Sequence, residues 1–180
     1  GTKTKLGLKE IIAVLRMPAV WLISIIVLTS YSAYWGAYYF APYATDIFGL
    51  SVVIGASLAV GKMWLKPVVA VCAGFAADKL GVANTVFYCL LAMTLCFGVF
   101  SILPGGDAYL VVMLINVVII SIGVFALRGL YFALLSEGGI SSAATGTAVG
   151  VISAIGFTPD VFMPLLGGIL LDAYPGAEGY

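Results

Sequence analysis

The chain has 180 residues, of which 63% are hydrophobic and 9% are charged, and its mean hydropathy is +1.18. Soluble domains carry roughly 25% charged residues, so this composition predicts a membrane protein. The 8 basic and 8 acidic residues balance, and the chain lacks histidine and a P-loop motif. We therefore expect no nucleic-acid partner, no His-ligated metal, no cofactor and no enzymatic activity.

Residues 1–17 precede the first long apolar run and are mostly basic. They contain Lys3, Lys5, Lys9 and Arg16 against the single acid Glu10, with apolar residues on an approximate helical stripe. This pattern predicts a basic linker that lies as a helix on the cytoplasmic membrane surface.

Five apolar runs follow, and each is long enough to cross about 30 Å of hydrocarbon. The predicted spans are 18–40, 51–77, 83–103, 109–135 and 143–171, followed by an extracytoplasmic tail at 172–180. The fifth is longer than a perpendicular crossing needs, so a tilt or a bend at Pro159 or Pro164 is expected.

Successive connections between the spans must lie on opposite sides of the membrane, and this assignment puts the basic residues of the connections on one side. Lys79 falls on the side of the basic linker, whereas the connections at Asp46 and Asp107 and the tail at 172–180 contain no Lys or Arg. The positive-inside rule then predicts a cytoplasmic N-terminus and a multi-pass protein of the cell membrane.

The first span carries an aromatic stripe. Tyr31, Tyr34, Trp35 and Tyr38 stand at i, i+3, i+4 and i+7. Rings with hydroxyl groups suit a sugar ring or an organic anion, so Tyr31, Tyr34 and Trp35 are candidate binding residues. The alternative is an aromatic belt at the membrane interface, which fits Tyr38 better than Tyr31, about half way down the span.

The second span carries two lysines, Lys62 and Lys66, one helical turn apart. Each costs roughly 2.5 to 3.5 kcal/mol near the bilayer centre, so their shared face should meet protein or a wet cavity and not lipid. They are the leading candidates for binding an anionic solute. Pairing with a carboxylate elsewhere in the protein is the alternative.

The second span ends in Gly74-x-x-x-Asp78-Lys79-x-Gly81. Glycine permits a sharp reversal there, and a carboxylate at a helix end can meet a neighbouring helix N-terminus or a basic side chain. An ordinary tight hairpin would look similar.

This motif resembles the Gly-x-Leu-Ala-Asp-Arg/Lys-x-Gly-Arg/Lys loop of the major facilitator superfamily. Ala76 replaces the usual Leu, and Val82 and Ala83 stand where basic residues are common. In that family the loop aspartate, here Asp78, belongs to a cytoplasmic gate. Gly74, Asp78, Lys79 and Gly81 are therefore candidate gating residues.

The resemblance implies an all-α fold in which residues 18–171 are helices seven to eleven of twelve, five helices of the six-helix carboxy-terminal half. The chain opens with Gly1 and lacks a signal peptide, so we expect a piece of a longer protein. Its partners would be the amino-terminal half, a twelfth helix and the lipid bilayer. Residues 126–137, 146–156 and 158–160 look like the sugar-acid and organic-anion carriers of the superfamily.

The last two spans carry the remaining polar candidates. Arg128 suits a carboxylate, phosphate or sulfonate, but it could equally snorkel to the cytoplasmic surface. Asn116 lies nearer the middle of the same span. Asp160 is a candidate for carrying a coupling proton, with a fixed salt bridge as the alternative. Gly146 and Gly150, with Ser153 and Gly156 further on, predict a close helix contact.

Together these features favour a secondary active transporter, a symporter that moves a small polar, anionic solute by alternating access and is driven by H⁺ or Na⁺. The alternative is a membrane assembly or interaction subunit that transports nothing.

Overall fold

The protein is an all-α polytopic membrane protein. A computed structural model describes residues 8–180, apart from the side chains of residues 8, 9 and 107, so Lys3 and Lys5 lie outside the described part. The helices are α1 (Leu8–Leu15), α2 (Pro18–Gly36), α3 (Phe40–Asp46), α4 (Val52–Leu80), α5 (Val82–Phe100), α6 (Leu110–Leu130), α7 (Leu134–Glu137), α8 (Thr145–Gly156) and α9 (Pro159–Ala173). Short 3₁₀ helices occupy Asp107–Tyr109 and Ala177–Gly179.

Within residues 8–180, five helical stretches are long and apolar enough to cross a membrane, which confirms the predicted number. They are Pro18–Asp46, Val52–Leu80, Val82–Phe100, Leu110–Leu130 and Thr145–Ala173. The second runs three residues further than predicted because the turn comes at Gly81, whose φ of 86° suits glycine. The fifth is interrupted before Pro159, whereas Pro164 lies within α9.

The first span is also interrupted, at residues 37–39. Tyr38 N donates to Trp35 O and Tyr39 N to Gly36 O, both at 3.0 Å, so the pairing tightens from i→i−4 to i→i−3. Pro42 has no N–H and cannot donate to the carbonyl four residues before it. Helix α2 therefore ends at Gly36, before the predicted end of the span at residue 40. Helix α3 occupies Phe40–Asp46, most of which falls in the connection expected between the predicted spans 18–40 and 51–77.

Helix α6 lies at the centre of the packing. In its most apolar 18 residues, 56% are buried by the rest of the protein, against 28% or fewer in each of the other four spans. It packs against α4, α5 and α2, and α2 in turn packs against α8 and α9. The middle of α2 therefore faces side chains from α6 and α9.

Contacts between connections define the two ends of the helix bundle. At the Lys79 end, the carboxylate of Glu137 meets the start of α5. At the Asp46 end, Tyr180 donates a hydrogen bond to Asp46 Oδ2 at 2.5 Å. Burial and this bond raise the pKa of Tyr180 to about 12, so its phenol stays neutral near pH 7.

Candidate functional site

The aromatic stripe predicted on the first span forms a continuous row of contacting rings, in which Tyr31 and Tyr34 stack and Tyr34 meets Tyr38 edge to face. Ring centroids are 5.5 Å apart for Tyr31 and Tyr34, 5.2 Å for Tyr34 and Tyr38, and 5.3 Å for Trp35 and Tyr38. The hydroxyls of Tyr34 and Tyr38 lie 2.7 Å apart. Charged side chains from three other helices contact this row, and we call the whole assembly the central cluster.

Asp160 joins the central cluster from the first turn of α9. Its Oδ1 accepts hydrogen bonds from Tyr31 Oη at 3.0 Å and from the Trp35 indole N–H at 2.8 Å. Pro159 starts α9 after the interruption in the fifth span, and an acid in the first turn of a helix is favoured by the helix dipole. Asp160 is exposed, and both of its described hydrogen bonds end on Oδ1.

Arg128 joins the central cluster from the last turn of α6. Its guanidinium carbon lies 4.4 Å from the Tyr34 ring centroid and 5.5 Å from that of Tyr31. The side chain is half-buried. Its described contacts are aromatic faces, so the planar N–H groups stay available to an acceptor.

The two lysines of α4 have different surroundings. Lys62 is half-buried and donates to the Ala37 carbonyl at 2.5 Å, with its ammonium 5.3 Å from the Tyr38 ring. Lys66 lies one turn closer to the Lys79 end and is exposed. Of the pair predicted to act together, the structure brings Lys62 alone into contact with the central cluster.

Asn116 lies apart from these contacts. It is 6% exposed, and its side-chain amide donates to Val112 O at 2.9 Å within its own helix. This bond gives the buried side-chain N–H group a hydrogen-bond acceptor within α6. A role for Asn116 in binding solute stays a prediction.

The predicted gating residues lie at the Lys79 end. Asp78 and Lys79 are exposed in the last turn of α4, and Gly81 separates α4 from α5. A Cβ on Gly74 would meet nothing within 4 Å. Within residues 8–180, the helix N-terminus at this turn is met by another acid.

That acid is Glu137, which the sequence did not single out. Its two oxygens accept from Val82 N at 2.8 Å and Ala83 N at 2.9 Å, and so cap the first turn of α5. The residue before α5 is Gly81, which has no side chain to cap it. The missing N-cap was the available signal, but it could not indicate which acid supplies the cap.

No group of three or more described His, Cys, Asp or Glu side chains could hold a metal ion. The central cluster itself contains a cationic fork, a carboxylate and hydroxyl-bearing rings. This combination can bind an acidic group, hydroxyl groups and a proton.

Two curated proteins of Escherichia coli K12 are similar to the chain. Inner membrane protein YqcE is 29% identical over 184 aligned positions, which cover 99% of the chain and 43% of the relative. Inner membrane protein YihN is 28% identical over 171 positions, which cover 93% and 41%. No family model and no solved structure matches the chain.

The chain thus spans less than half the length of either curated relative. The names of both relatives give a location in the inner membrane and no activity. With the five apolar helices, this similarity supports a multi-pass membrane protein.

Proposed function

We propose that the chain is the carboxy-terminal half of a carrier of the major facilitator type, which moves a small polar, anionic solute across the cell membrane by alternating access. The central cluster is the observation that carries this proposal. It gathers a carboxylate and four aromatic rings near the middle of the first and fifth spans, together with a guanidinium from the last turn of α6.

Charged groups at this depth need a reason. A charged side chain at the helix centre costs roughly 2.5 to 3.5 kcal/mol on insertion scales. A purely structural cluster would pair its charges directly. Here Tyr31 contacts both charges, because its hydroxyl donates to Asp160 and its ring faces the Arg128 guanidinium. Each charge can therefore still interact with a visiting molecule.

Recognition of the solute follows from the groups present. The N–H fork of Arg128 binds a carboxylate, phosphate or sulfonate in two-point fashion. The rings of Tyr31 and Tyr34 offer a stacking face, and the Tyr34 and Tyr38 hydroxyls offer hydrogen bonds to alcohol groups. A polyhydroxylated acid, such as a sugar acid, satisfies both sets.

Asp160 gives the site a proton-binding group for symport. An ionised carboxylate accepts stronger hydrogen bonds than a neutral one, so a proton on Asp160 weakens its hold on Tyr31 and Trp35. These two donors then become available to solute hydroxyls. One proton taken up with each monovalent anion also leaves the net charge of the site unchanged.

The full-length protein would supply the missing helices and a cytoplasmic gate. Asp78 and Lys79, both exposed at the end of α4, would contact the amino-terminal half at a cytoplasmic gate. A twelfth helix would complete the half. The N-terminus is then cytoplasmic, with the Lys79 end inside.

A ligand-dependent thermal shift of the full-length protein tests the binding step. Gluconate, glucuronate, lactate and the neutral sugar glucose form the panel. At least one acid should raise the melting temperature of the protein, and glucose should not. Arg128→Gln should lower the affinity for this acid by about 10- to 100-fold, because a charged hydrogen bond contributes about 1.5 to 3 kcal/mol.

Arg16→Gln is the matched control, because it removes the same charge from an exposed position at the Lys79 end. It should leave the shift unchanged. A shift that survives Arg128→Gln, or no shift with any acid, would favour the assembly subunit.

A further inference from the structure

The interruption of the first span presents a carbonyl oxygen to a neighbouring helix. The turn at 37–39 pairs Tyr38 N with Trp35 O and Tyr39 N with Gly36 O, and among the described residues no backbone N–H donates to Ala37 O. Pro42, which lacks an N–H, likewise leaves Tyr38 O without its regular helical donor. The C-terminal end of α2 also carries the negative end of a helix dipole, and its last turn contains no basic residue.

A lysine ammonium from another helix lies beside this end of α2. The Lys62 ammonium, carried by α4, lies 2.5 Å from Ala37 O and over the rings of Tyr38 at 5.3 Å and Phe40 at 5.9 Å. One carbonyl and two aromatic faces hold a monovalent cation without a carboxylate. Helix breaks in membrane carriers commonly bind a coupling sodium ion through such released carbonyls.

We infer that the break between α2 and α3 is a monovalent-cation site that the chain fills with its own Lys62. The protein then needs no sodium at this position, and removing the ammonium opens the site to a small cation from solution. This inference goes beyond the proposed transport function, because its test measures cation binding and needs no solute.

The test is chemical rescue of Lys62→Ala in the purified full-length protein. Melting temperature is followed while sodium chloride or propylammonium chloride replaces N-methylglucamine chloride at constant ionic strength. Lys62→Ala should melt lower than wild type in N-methylglucamine, and its melting temperature should rise saturably with propylammonium or sodium. Wild type and Lys62→Arg should show no such rise.

Lys66→Ala is the matched control. It removes the same charge one turn away, from a side chain that is exposed. Equal responses of the two alanine variants, or no response of Lys62→Ala to either cation, would overturn the inference. If Lys62→Ala cannot be purified in a folded form without these cations, the yield of monodisperse variant is measured with and without propylammonium during extraction. A higher yield with propylammonium supports the inference, and an unchanged yield overturns it.

Discussion

Substituting alanine at Gly156 tests the contact that sets the distance between α2 and the fifth span. A Cβ built there would lie 2.8 Å from Val27 Cβ and closer still to Val27 Cγ1. Val27 is 0% exposed, and a β-branched side chain has one strongly preferred rotamer in a helix. The two helices must therefore move apart to admit the methyl group.

The magnitude follows from two opposing terms. Overpacking costs about 1 to 3 kcal/mol, while replacing a helical glycine returns at most about 1 kcal/mol, and less at the last residue of α8. The expected net loss is about 1 to 2 kcal/mol. Gly150→Ala on the same helix, where a Cβ meets nothing within 4 Å, should instead gain up to about 1 kcal/mol.

Equilibrium unfolding of the two variants in mixed micelles, followed by circular dichroism, measures this difference of about 2 to 3 kcal/mol. Because α8 leads into α9, the Gly156→Ala variant should also change the emission of Trp35, whose indole donates to Asp160. Equal stability of Gly156→Ala and Gly150→Ala would refute the packing argument.

Two further predictions concern the ends of the bundle. Glu137→Ala removes the carboxylate that caps α5 and should cost about 1 kcal/mol, with faster amide exchange at residues 82–84, whereas Asp78→Ala should leave that exchange unchanged. For orientation, cysteine is placed at Ala108 or Ser142, both exposed, in a variant without the native cysteines. A membrane-impermeant maleimide on intact cells should label position 108 alone. Labelling of position 142 alone would show that the orientation is the reverse of the one predicted.

The spans and the aromatic stripe could be predicted because each depends on local spacing. An apolar run of about twenty residues indicates a span whatever surrounds it. Positions i, i+3, i+4 and i+7 share one helix face, so the stacking of Tyr31 on Tyr34 follows from their separation alone.

The partners of the charged residues could not be predicted in the same way. Lys62 and Lys66 are equivalent in the sequence, yet the break at 37–39 lies beside Lys62, and the sequence did not predict that break despite Gly36 and Pro42 on either side of it. Glu137 and Val82 are 55 residues apart, so their contact depends on how the helices pack.

The close helix contact predicted over Gly146, Gly150, Ser153 and Gly156 occurs at Gly156 and not at the two earlier glycines. A Cβ on either glycine meets nothing within 4 Å. The buried stripe of α8 instead runs through Ala148, Ile152 and Gly156, at intervals of four residues. Glycine spacing alone does not say which face of a helix is turned inward.

Solute uptake into proteoliposomes tests most directly whether the central cluster couples a proton to an anion. The full-length protein is supplied with the acid that gives the largest thermal shift, with and without an inward proton gradient. Wild type should accumulate this acid when the gradient is present. Asp160→Asn should lose the gradient-driven accumulation while keeping solute exchange, and Arg128→Gln should lose both. Asp172→Asn, an exposed acid near the end of α9, should behave as wild type. Gradient-driven accumulation by Asp160→Asn at the wild-type rate would contradict the proposed coupling.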